Sequence, residues 1–268
     1  MTDITITSLD TITAFNVTSG NYLFTLDELQ NVTLAQGQEQ TEITGKQGRK
    51  LSTLKRNKTV TVSGTNGLLS CGLLELQTGT AFENKATEVL WTDYLTVESG
   101  AATLSYKAIG TTGKEIDAVY IKNGDGTLGA ELEQGDATAE ATANARGKFT
   151  YTPQTRALAF ASDVEDNTDI VVYYKRKIVA DVLKDYSDTY SGKCMLYIDA
   201  TGEDKCANIY HLQIFVPKAD FSGEFSLEFG DNQSVHAFEA EALSGACGTR
   251  GEFFTYTVFG ENTEDYAG

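Results

Sequence analysis

Apolar residues in this chain recur mainly at every second position, the period of a strand with one buried and one wet face. The clearest case is His211–Ala242, where Phe221, Gly223, Phe225, Leu227 and Phe229 alternate with Ser222, Glu224, Ser226 and Glu228. This predicts two strands joined through Pro217–Phe221, then an acidic return strand. Alternation at Ile4, Ile6, Leu9 and Ile12 predicts an opening strand. Further strands are predicted at Tyr22–Leu26, Thr59–Ser63, Val89–Val97, Ala118–Lys122, Lys148–Tyr151, Ala157–Phe160, Asp169–Tyr174, Ile178–Leu183, Lys193–Asp199, Cys206–Val216 and Phe253–Phe259, with a turn at Ala200–Asp204. One segment has a helical period: Leu69, Leu73 and Leu76 within Gly67–Gln77, with Asn66 as N-cap and Gly79 as the stop, although Gly72 weakens it.

The predicted class is therefore mainly β, a β-barrel or sandwich with one short flanking α-helix. Residues 1–104 and 178–268 read as one β domain. Residues 105–177 read as an inserted small β-sandwich-like domain, because its strands are short and separated by turn clusters, with a Gly/Ala/Thr-rich acidic stretch at Gly124–Asn144.

The 268 residues suffice for a sizeable core, and 25 glycines against two prolines suit strands and turns. The net charge of −17 opposes binding to nucleic acid or anionic membranes over most of the surface. Met1–Thr7 has neither a basic region nor an apolar one of the secretory kind, and no apolar run approaches the roughly 20 residues that span a bilayer, so cytoplasmic folding is expected. In a reducing compartment Cys71, Cys194, Cys206 and Cys247 read as thiols acting as small buried hydrophobes. A Cys194–Cys206 link across a hairpin is the alternative.

Motif by motif, no catalytic, cofactor or metal residue stands out. Gly110-Thr-Thr-Gly-Lys114 lacks phosphate-loop spacing. Asn123-Gly-Asp-Gly-Thr127 lacks the ligand register and distal Glu of a calcium loop, and reads as a hairpin turn. His211 and His236, the two histidines, read as structural, and Trp91 with Tyr94 as core. With 38 acidic residues, no carboxylate pair is marked as a hydrolase dyad.

Charge is segregated, however. Lys46, Arg49, Lys50, Lys55, Arg56 and Lys58 stand close together in Thr41–Lys58, against Glu42 alone. From Asp220 to the end, ten acidic residues face only Arg250. The dull reading of the run is a solvated loop. In so acidic a chain it is also a patch complementary to another copy, which suits a heterologous head-to-tail contact of the kind that builds rings and filaments.

Thr44-Gly-Lys-Gln-Gly-Arg-Lys-Leu-Ser-Thr-Leu54, leading into a strand and a short Leu-rich helix, resembles the N-terminal half of bacteriophage tail tube (major tail) proteins. Gly223-Glu-Phe-Ser-Leu-Glu-Phe-Gly-Asp-Asn-Gln233, with the following strand ending in Phe238–Leu243, resembles their C-terminal half. The likeness covers roughly residues 25–105 and 178–260. It implies a tail-tube-like β-barrel or sandwich whose subunits form hexameric rings stacked into a tube, with a negative lumen that DNA passes without specific binding. It also implies partners among tail terminator, sheath or baseplate components, no cofactor, and a place in the virion tail after assembly in the host cytoplasm. Lys46–Lys58 would be an inter-ring contact loop, and 105–177 an external decoration. That block departs from the minimal pattern and leaves open a capsid decoration or other virion structural protein. A carbohydrate-binding adhesin module is the alternative from another class, and a glycan hydrolase the third.

Overall fold

A computed structural model describes residues 3–135, 148–228, 235–244 and 251–260, and the described residues form sixteen strands and one α-helix. In chain order the first elements are β1 (Ile4–Asn16), β2 (Tyr22–Leu26), β3 (Leu29–Thr44), β4 (Lys50–Asn66) and α1 (Cys71–Thr78). Next come β5 (Glu83–Thr96), β6 (Ala101–Thr103), β7 (Ile116–Lys122), β8 (Leu128–Gln134), β9 (Lys148–Thr152), β10 (Ala157–Phe160) and β11 (Asp169–Val182). The last are β12 (Lys193–Asp204), β13 (Ile209–Phe221), β14 (Leu227–Glu228), β15 (Val235–Ala242) and β16 (Thr255–Gly260). They fall into two units: 1–82 with 183–268, and 83–182.

The first unit is one antiparallel sheet in the order β2-β1-β12-β13-β15-β4-β3, with β16 added to β13 and β14 to β15. Its end strands β2 and β3 are consecutive, joined only by Asp27 and Glu28, so the sheet must curl on itself. The inward residues form one core, in which Ile12, Phe24, Leu26, Val62, Leu196, Val216 and Phe238 meet. α1 closes this core with Leu73, and its approach explains Gly72: a Cβ there would lie 2.8 Å from Phe24 Cβ. The helix is shorter than expected. Its N-cap is Ser70, whose hydroxyl accepts from Leu73 N at 3.3 Å, rather than Asn66, which is the last residue of β4. Gly79 ends it as anticipated, in the left-handed region (φ 71°).

β13 runs straight through Pro217, where a turn was expected. Cys194 opposes Ala219 and Leu196 opposes Val216, so a bulge sits at the proline and spares its missing N–H. The alternation beyond it does not become a long strand: Phe221 is buried, but Phe225 is exposed, and only Leu227–Glu228 pairs, with β15. Phe229 lies outside the described residues. β12 likewise continues through the expected turn at Ala200–Asp204. The turn follows it, with Asp204 Oδ1 accepting from Cys206 N (2.7 Å) and Asn208 N (3.0 Å). The Asn208 side chain and then its backbone amide hold the Asp204 carboxyl below the usual carboxylate range. Cys194 is buried at one end of β12 and exposed Cys206 follows the other, both as free thiols, so the Cys194–Cys206 link is not formed. Exposed Cys71 and Cys206 depart from the buried-thiol expectation. Cys247 and Arg250 lie outside the described residues.

The second unit is a seven-stranded sheet in the order β5-β11-β7-β8-β9-β10-β6, antiparallel except for β8 with β9. Its limits are wider than 105–177, because β5 pairs with β11 along their full length, from Thr96 opposite Asp169 to Glu83 opposite Val182. Its core gathers Val119, Phe149, Tyr151, Leu158, Ile170, Val172 and Tyr174. Two buried tyrosine hydroxyls tie down the segment after β6, accepting from Ala108 N (Tyr151, 2.9 Å) and Tyr106 N (Tyr174, 3.1 Å). Trp91 and Tyr94 are not core. Both are exposed, Trp91 against Arg176 and Tyr106, and Tyr94 under Lys122.

Candidate functional site

β3 and β4 are paired from Leu29 opposite Asn66 out to Thr44 opposite Lys50, but only the inner part of this hairpin lies on the core. From Ala35 to Thr59 every residue is exposed except Gly45 and Thr53, which are half-buried. The result is a bare two-stranded arm, with Ala35–Thr44 reaching roughly 30 Å at ~3.4 Å per residue. The basic run is thus not a loop. Thr, Gln and Lys on paired strands need no buried face when cross-strand contacts support them. Asn57 Nδ2 donates to Glu39 Oε2 (2.7 Å), Arg56 Nη2 to Thr41 Oγ1 (3.4 Å), and Lys50 is ion-paired with Glu42. Asn57, at φ 51°, is the extra residue of a bulge between the Gln38–Lys58 and Glu39–Arg56 pairs, which adds local twist. The tip is a 3-10 turn, Lys46–Gly48, closed by Gly45 N donating to Arg49 O (2.8 Å).

The register sorts the six basic residues. Lys50, Lys55 and Lys58 share a face with Glu42, Gln40 and Gln38, which continues the core-facing side of the sheet through Val60. Arg56 stands on the other face with Glu39, Thr41, Ile43, Ser52 and Leu54. Lys46 and Arg49 belong to the tip. The structure therefore gathers all six on one projecting element, divided between two faces and a tip. Lys58 also lies 5.5 Å from the Phe253 ring centroid. Among the described residues, only Lys50 of the six forms an ion pair. The charge is therefore left facing solvent, where an exposed pair within the arm would contribute little.

Sequence reading missed the exposed apolar residues of the arm: Ile43 (47%), Leu51 (59%) and Leu54 (47%). Their signal is weak, three apolar residues among polar ones, and it becomes legible only once β3 is known to pair with β4. Elsewhere, His236 is buried, its Nε2 2.7 Å from Gln77 Oε1, and burial pushes its pKa down. His211 stacks on Phe259 with centroids 5.6 Å apart. Among the described residues no group of three or more His, Cys, Asp or Glu is placed to hold a metal ion. No helix among them is long and apolar enough to cross a membrane.

A curled antiparallel sheet, one capping helix and a long charged hairpin frame the comparison with known proteins. The model of the YomU/Tube protein family matches residues 4–255, nearly the whole chain and both units. The chain belongs to that family. It is a family of phage-type tube proteins, and membership makes this chain a tube-like structural protein and a tail component of the virion. No curated protein matches the sequence.

Proposed function

We propose that the chain is the repeating subunit of a phage tail tube. It self-assembles into rings, hexameric in the family that the sequence resembles, which stack into an acidic channel that conducts DNA. The observation that carries this reading is the arm: six cations and three exposed apolar side chains on a ribbon that its own core does not cover, in a chain of net charge −17. Lys46, Arg49, Lys50, Lys55, Arg56 and Lys58 then act at the joint between subunits, where complementary charge sets register and encounter rate. A net negative surface suits a channel that must release phosphates rather than hold them. The inserted domain lies on the outside of the tube and takes no part in its joints. Tail terminator, sheath or baseplate components are the other partners of this reading, and the subunit performs no catalysis.

Electron microscopy of the purified chain across a concentration and salt series tests it. Hollow tubes of uniform bore, shortened at high salt, are expected. A closed oligomer that binds glycans instead would favour an adhesin role for the second unit, whose outer face presents Tyr94 at 70% exposure.

A further inference from the structure

The arm leaves the first unit at one defined end of its sheet. Thr61 opposes Glu241, Glu241 opposes Asp220, Asp220 opposes Lys193, and Cys194 opposes Asn16. These pairs mark one pole, and the arm projects beyond it. The opposite pole is set by Ile4 opposite Asp204, Glu203 opposite Ile209, and Tyr210 opposite Gly260. The twelve residues of β12 separate the two poles by roughly 40 Å. An arm thus points away from the far pole of its own subunit.

The far pole is complementary to the arm in two independent respects. It is acidic: Asp3, Glu203 and Asp204 stand there with Lys205, which pairs with Asp3 at 3.3 Å, and Asp10, midway along β1, reaches Thr201 next to them. Asp10 accepts from Ser8 Oγ (2.6 Å) and Thr201 Oγ1 (2.7 Å), and these two hydroxyls hold its carboxyl below the usual carboxylate range. The pole is also apolar on the exposed face that carries Glu203, at Ile209 (46%) and Phe259 (43%). Because side chains of paired residues share a face, Glu203 lies beside Ile209, and Phe259 beside His211. The arm presents the matching set on one face: Ile43 and Leu54 beside Arg56, which opposes Glu39 and donates a hydrogen bond to Thr41.

We propose that the arm of one copy docks through Ile43, Leu54 and Arg56 onto the far pole of a second copy, against Ile209 and Phe259 and between Asp10 and Glu203. The occupant is another copy of this chain, because donor and acceptor sit at opposite ends of one unit with opposite charge. Such a contact is heterologous and adds subunits without closing on itself. Apolar burial supplies most of its affinity, and the Arg56–carboxylate contacts fix its register. The proposal rests on the tube reading and adds the acceptor to it.

Cross-linking tests it in the full chain. In a background with Cys71→Ser and Cys206→Ser, Leu54→Cys is combined with Ile209→Cys. Mild oxidation of assembled protein should give a ladder of linked subunits on a non-reducing gel, with a 54–209 disulfide identified by mass spectrometry. Tubes that form normally but give no 54–209 link overturn this acceptor and leave the tube reading standing. A chain without the cysteine substitutions that never polymerises removes the tube reading and this proposal with it. A charge swap guards against loss of cysteine geometry. Arg56→Glu should raise the concentration needed for polymers about tenfold, equivalent to about 1.4 kcal/mol, and Glu203→Arg in the same chain should lower it again. Circular dichroism confirms that each variant is folded. Failure of Glu203→Arg to restore assembly, combined with no effect of Glu203→Arg alone, also overturns the acceptor.

Discussion

Replacing Tyr174 with Phe should weaken the second unit severely while leaving assembly intact. Tyr174 is fully buried, its hydroxyl donates to Asp93 Oδ2 at 2.9 Å, and it accepts from Tyr106 N at 3.1 Å. The buried Asp93 carboxylate also accepts from Ser105 N at 2.8 Å and Trp91 Nε1 at 3.0 Å. Tyr174→Phe thus removes one donor to a buried carboxylate and strands a backbone N–H. A hydrogen bond to a charged group contributes about 1.5–3 kcal/mol and a stranded group costs about 1–3 kcal/mol; shared relaxation makes a total of about 3 kcal/mol the reasonable expectation. Trp91, the single tryptophan, reports the event from inside the same network. With a urea dependence of about 2 kcal/mol per M, the Trp91 emission midpoint should fall by about 1.5 M. Tyr173→Phe is the control, since its half-exposed ring makes an edge contact with Tyr120 and its hydroxyl has no hydrogen bond among the described residues. A midpoint shift for Tyr174→Phe no larger than the control's would refute the network argument. Loss of tubes with the first unit still folded would refute the proposal that the second unit is an appendage.

Two further predictions concern the first unit. His236 is held neutral by burial, so the unfolded chain binds a proton that the folded one does not. Stability should therefore fall, relative to a His236→Leu variant, as pH drops below about 6.5 towards its lowered folded value. A stability difference that stays constant from pH 8 to pH 5 would contradict this. Burial pushes the Cys194 thiol up to about 12, whereas Cys71 and Cys206 are exposed. Brief alkylation of the native protein should label the latter two and spare Cys194 until it unfolds, as peptide mapping will show.

Much of the fold was legible in the sequence because strand alternation records burial on one face. Tyr22–Leu26 and Ala157–Phe160 match β2 and β10 to the residue. The arm escaped notice for the same reason: β3 beyond Leu34 buries nothing, so no apolar period marks it, and its pairing with β4 is known only from the partner. The alternation at Phe221–Phe229 promised a strand that the described part does not form, because a pattern specifies a face only where a neighbour covers it. The unit boundaries shifted to 82/83 and 182/183 because β5 and β11 pair with each other across most of the second unit's sequence. The clustering of the basic residues was legible, since charge is read directly, whereas the strand conformation and the two-faced arrangement needed the register.

The central claim is that this tube protein builds polymers through its basic arm. Electron microscopy of the unmodified chain beside a Lys55→Glu/Arg56→Glu variant, at matched concentration and low salt, tests it most directly. Tubes from the first and none from the second, with both chains folded, are predicted. Tubes of equal abundance from both would contradict the account.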